Sequence, residues 1–102
     1  MTKILKSKRD AIAKACKRHG VTRLDAFGSA LHDDFQPGQS DLDLLVELGP
    51  MESYARVDAY FGLLADLREI LGEQVDLVVS GAVKNLYIAR DIEQTKVLLY
   101  AA

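Results

Sequence analysis

Two aspartates, Asp41 and Asp43, flank a leucine in the stretch Ser40-Asp41-Leu42-Asp43-Leu44-Leu45-Val46. Leu42, Leu44 and Val46 alternate with them, the period of a strand with one apolar face. Side chains two apart on a strand point the same way, with Cα atoms roughly 7 Å apart, so both carboxylates can converge on one hard cation. About a dozen residues upstream stands Phe27-Gly28-Ser29. There a glycine lets backbone N–H groups approach a phosphate with little side-chain obstruction. The chemistry these residues offer together is cation-assisted handling of a phosphate compound. Taken singly, each acid is equally well read as a solvated strand residue, and Ser29 as the N-cap of a helix.

The elements that must carry these residues follow from the apolar pattern. Residues 3–19 read as a helix, with Ile4, Leu5, Ile12 and Cys16 inward and Gly20 as its stop. Val21 to Phe27 reads as a strand, and Gly28 to Ser40 as a loop with a short helix beginning at Ser29. Pro37-Gly38 marks a turn before the central strand, Asp41 to Leu48. Ser53 to Leu71 is a long helix with Val57, Phe61, Leu64, Leu67 and Leu71 along one side, widened by Tyr60, Leu63 and Ile70. Gly62 inside it fits close packing at that point. Gln74 to Val79 is a third strand, and residues 83–94 a shorter helix with Leu86, Ala89 and Ile92 inward. Thr95 to Tyr100 fits an edge strand or a helical tail equally well. Strands alternating with helices in this order predict an α/β (α+β) fold with a mixed sheet.

At 102 residues, 49% apolar and 27% charged, the expectation is one domain over 1–102 with one core. There is no 18-residue apolar run for a membrane span, and the basic N-terminus lacks the apolar stretch of a signal peptide. Cys16 is the one cysteine, so no internal disulfide forms, and a cytoplasmic protein is the expectation. Charge is split: residues 1–23 carry eight Lys and Arg against Asp10 alone, while the rest of the chain is strongly acidic. That split suits an anionic partner, or simply a solvated face of an amphipathic helix.

Gly-Ser, a polar loop, Ser-Asp-x-Asp-Leu-Leu-Val, and the later Val75-Asp76-Leu77-Val78-Val79 together resemble the signature of the minimal nucleotidyltransferases, within the DNA polymerase β-like superfamily. The resemblance spans essentially the whole chain. It implies a short mixed sheet flanked by helices, with Asp41, Asp43 and Asp76 as the catalytic, metal-binding carboxylates. It also implies a pair of Mg²⁺ ions and ATP or another nucleoside triphosphate as substrate; Gly28, Ser29 and Ser40 are the candidate contacts to it, with His32 a candidate in place of a family residue. Mg²⁺ removes the cost of gathering three like charges and clamps the attacking and leaving oxygens of an in-line displacement. The family pattern places an arginine soon after the serine; here the residues are Ala30-Leu31-His32-Asp33-Asp34. His32 substitutes for it only when protonated, and is otherwise an exposed loop residue.

What the resemblance implies for function is a Mg²⁺-dependent transfer of NMP, most simply AMP from ATP, to a hydroxyl. Family members pair with HEPN-type toxins and act as antitoxins by modifying a toxin tyrosine, so an oligomer with such a partner is expected. The missing arginine leaves open a weakened domain that neutralises its partner by complex formation. Direct nucleic-acid binding through residues 3–23 is a third reading, opposed by the net charge of −2.

Overall fold

The computed structural model describes residues 2–31, 36 and 38–102. The order is α1 (Lys3–Ser7), α2 (Arg9–Arg18), β1 (Val21–Phe27), a 3₁₀ turn (Gly28–Leu31), β2 (Leu42–Leu48), α3 (Ser53–Leu71), β3 (Val75–Val79), α4 (Leu86–Thr95) and β4 (Val97–Ala101). The strands form one sheet in the order β3-β2-β1-β4. β1 is antiparallel to β2 and to β4, and β2 is parallel to β3, with α3 as the crossover a parallel pair requires. The mixed sheet flanked by helices is the architecture expected from the sequence.

Alternation divides the sheet into two faces. Leu24, Ala26, Leu42, Leu44, Val46, Val75 and Leu77 face the core, where they meet Leu5, Ile12 and Cys16 from α1 and α2 and Leu63, Leu64, Leu67 and Leu71 from α3. On the other face, Phe27, Asp43 and Asp76 lie side by side across β1, β2 and β3, and Asp25, Leu45 and Val78 form the next row. α4 covers part of this second face: its Ile92 is buried and lines a small cavity with Leu45 and Ser80. The row holding the two aspartates stays accessible, with Asp43 half-buried and Asp76 exposed.

Several local expectations change. The first helix bends at Lys8, which ends α1 and starts α2 and so lets Leu5 and Ile12 both bury fully. Asp41 lies just before β2, not inside it. On α3, Val57 and Phe61 are 54% and 61% exposed, and Ala59 joins the buried set. A helix buries whatever its neighbours cover, and among the described residues the N-terminal half of α3 meets no second layer on that side. α4 begins at Leu86, because the Asn85 side chain accepts from the N–H groups of Tyr87 (3.0 Å) and Ile88 (3.2 Å) and caps it there. Leu86, expected inward, is 80% exposed as a consequence of standing at that end. The C-terminal segment is an edge strand, its Leu98 carbonyl accepting from Arg9 Nη2 at 2.8 Å.

Gly62 does mark close packing. A Cβ there would come within 2.6 Å of the His19 ring, which lies across α3 from the end of α2. His19 Nε2 is 2.7 Å from Asp66 Oδ2, and Arg18 Nη1 donates to the same oxygen at 3.1 Å. The His19 hydrogen bond first, with the charges of His19 and Arg18 behind it, holds the Asp66 carboxyl below the usual carboxylate range.

Candidate active site

Gly28 leaves β1 with φ +55°, a left-handed conformation that suits glycine, and starts the 3₁₀ turn. Its missing side chain matters for a second reason: a Cβ would sit 2.6 Å from Asp43 Oδ2. The same oxygen accepts from the Ser29 backbone N–H at 3.1 Å and is 2.9 Å from the Ser29 hydroxyl. That hydroxyl also meets the Asp41 carbonyl oxygen, and with one proton it donates to one of the two acceptors at a time. The Ser29 N–H at this turn thus already binds one oxygen of a carboxylate.

Asp76 pairs in register with Asp43 on the adjacent parallel strand, about 4.8 Å away between backbones. Partial burial raises the Asp76 pKa above the ordinary carboxylate value, and the charges of Asp43 and Asp41 and a hydrogen bond with Asp43 push it further up. No ion pair among the described residues involves Asp41, Asp43 or Asp76. Asp43 and Asp76 thus stand side by side on the sheet with Asp41 near them, and the like charges act on one another. Among the described residues, no three His, Cys, Asp or Glu side chains are gathered tightly enough to hold one metal ion as they stand. Asp43 is turned to Ser29, and Asp41 is exposed outside the strand. In chemistry the donor set still fits a hard divalent cation: carboxylate oxygens alone, mutually repelling.

The remaining candidates fall elsewhere. The Ser40 hydroxyl accepts from Gln36 N at 3.3 Å, and Ser40 N donates to Gln36 O at 2.9 Å, so the loop engages it locally. His32, with its neighbours Asp33 and Asp34, lies outside the described residues, as does Pro37 of the expected turn. Gly38 of that turn has φ +79° and donates its N–H to Glu73 Oε2 at 2.8 Å, tying the loop to the segment before β3.

A pair on the same face escaped the sequence reading. Asp25, 1% exposed in the row next to Asp43, is held by Arg23 through Nε at 2.8 Å and Nη2 at 3.0 Å. Asp25 in turn strengthens the positive charge of Arg23, and Glu47 and Glu93 add to it. The available signal was Arg-x-Asp in a strand, which places both side chains on one face. This bidentate pair keeps the buried carboxylate from standing alone.

Residues 9–99 match the nucleotidyltransferase domain family. Two relatives from Methanocaldococcus jannaschii, each named "Putative protein adenylyltransferase", are 37% identical over 78 residues (76% of this chain and of the relative) and 32% identical over 77 residues (76% and 75%). Among solved structures, one described as a "putative minimal nucleotidyltransferase" superposes with TM-score 0.73 at 28% identity, covering 91% of this chain and 90% of that one. A tri-AMPylated Shewanella oneidensis HEPN toxin in complex with an MNT antitoxin gives TM-score 0.62 at 19% identity, covering 96% and 73%. A toxin–antitoxin structure with AMP-PNP gives 0.64 at 20%, covering 92% and 73%. These last two bear on the fold alone.

Proposed function

The chain belongs to the nucleotidyltransferase domain family, and from that premise we propose that it transfers AMP from ATP to a hydroxyl on a partner protein, a tyrosine of a HEPN-type toxin. The observation that carries this is the row Asp43–Asp76, in register on parallel strands and abutting the Gly28-Ser29 cradle. In the reaction, the acceptor oxygen bonds to the α-phosphorus as the bridging bond to the β-phosphate breaks. Pyrophosphate leaves with that electron pair, and the hydroxyl proton passes to solvent. Ser29 holds the terminal phosphates through the N–H and hydroxyl that now engage Asp43, with Gly28 leaving room for them, and Asp41, Asp43 and Asp76 would hold Mg²⁺. Bound Mg²⁺ supplies Lewis-acid polarisation and charge neutralisation along the phosphates. The whole of residues 1–102 acts as one cytoplasmic nucleotidyltransferase domain, assembled with its partner. Relatives named as protein adenylyltransferases support the acceptor class.

Incubation with α-labelled ATP, Mg²⁺ and the HEPN-type product of the adjacent gene tests the proposal. Label on the partner, lost in Asp41→Asn and in Asp43→Asn, is the expected result. No label on the partner refutes it.

One observation favours a second reading. The Asp43 carboxylate is engaged by Ser29 and the three acids are not pre-assembled as a metal site, an arrangement a purely binding antitoxin would also tolerate. Toxin inhibition that survives Asp43→Asn unchanged selects it.

A further inference from the structure

The corner that holds Asp41, Asp43 and Asp76 has no ion-paired cation among the described residues, yet on the proposed function it receives a triphosphate. Three carboxylates and a triphosphate carry roughly seven negative charges, and two divalent ions return roughly four. A side-chain cation is needed, and the backbone brings one close. The N–H of Thr2 donates to the Ala30 carbonyl at 3.2 Å, so the start of α1 is fastened to the turn that begins with Gly28 and Ser29. Both sides of this junction are anchored: Leu5 on α1 and Ala30 on the turn are each 0% exposed in the same core cluster. Lys3, the next residue along from the tie, is exposed. Lysine carries its ammonium on a flexible four-carbon stem, which gives this position an adaptable charge next to the turn.

We propose that Lys3 is a polyphosphate-binding residue of this site, delivering from α1 the positive charge that the loop after Ser29 does not supply. This rests on the nucleotidyltransferase reading of the Gly28-Ser29 cradle and deepens it. It also gives the uneven charge of the chain a local use, since residues 1–23 hold eight of the thirteen Lys and Arg. Arg68 is the competing cation: it lines a pocket with Gly38, Glu73 and Gln74, and the Gln74 carbonyl accepts from the N–H of Leu42 at 2.9 Å.

Calorimetric titration of the full chain with inorganic tripolyphosphate and Mg²⁺ tests Lys3 without any turnover. Lys3→Ala weakens binding about tenfold, the loss of one charge-assisted hydrogen bond, and Lys3→Arg restores it to within about twofold. Lys17→Ala, which removes the same charge from an exposed site at the far end of α2, leaves binding unchanged. The proposal is overturned if wild type does not bind, if Lys3→Ala binds within about twofold of wild type, or if Lys17→Ala or Arg68→Ala weakens binding as much. Circular dichroism establishes that each variant is folded. The two levels separate cleanly: absence of label transfer from ATP refutes the functional reading, whereas the Lys3 assignment stands or falls on the binding ratio.

Discussion

The Asp43 carboxylate is bound by the backbone N–H of Ser29, at 3.1 Å, across the junction between β2 and the turn that ends β1. One of the acids read as a metal ligand thus occupies the donors read as a phosphate cradle. A nucleotide seated there must displace the carboxylate, which frees Asp43 to turn toward a cation. On the proposed function, phosphate binding and assembly of the carboxylate corner are coupled through this one exchange.

Gly28→Ala should abolish transfer. The new Cβ meets Asp43 Oδ2 at 2.6 Å, and φ +55° strains any L-residue, so a stability loss of about 1–2 kcal/mol accompanies it. Urea unfolding and label transfer, measured on the same preparation, check both effects.

Asp76→Asn should raise the melting temperature slightly in metal-free buffer while eliminating transfer. A carboxyl whose folded pKa is raised contributes stability when protonated, and loses it as pH rises through the folded value. At neutral pH the charged Asp76 is therefore a small liability, which the amide removes; solvent screening keeps the gain to about 1–2 °C. Below pH 4 the two proteins should melt together. A fall in melting temperature at pH 7 contradicts the electrostatic picture.

Asp66→Asn should act in the opposite sense. Its carboxyl pKa is depressed, so its contribution is present above the ordinary carboxylate value and disappears as pH falls through the lower folded one. The variant loses no more than about 1 kcal/mol at pH 7, and the difference closes as pH falls below the lowered folded value. Gly62→Ala should cost more, because His19 has to leave its place between α2 and α3. Thermal melts across pH read out both.

Cys16 should be silent to a water-soluble thiol reagent in the native protein. It is 0% exposed, and burial pushes its thiol pKa up to about 12, so thiolate is scarce as well as shielded. Reaction at the rate of global unfolding is expected; fast labelling under native conditions would contradict this burial.

What the sequence determined by itself is what short-range rules govern. The alternation around Asp43 and in Val75–Val79 announced strands with acids on one face, glycines announced the turns, and Gly-Ser with Asp-x-Asp announced the chemistry. Tertiary structure alone decided the rest. That Asp76 stands in register with Asp43 depends on how two strands separated by α3 slide against each other, and no local pattern encodes that offset. Val57 and Phe61 look like core residues by spacing, yet they are exposed because a helix buries only the side that neighbours happen to cover. The Ser29–Asp43 bond and the closeness of Lys3's segment to the cradle arise in the same way, from chain segments brought together by burial of Leu5, Ala30 and Leu44 in one core.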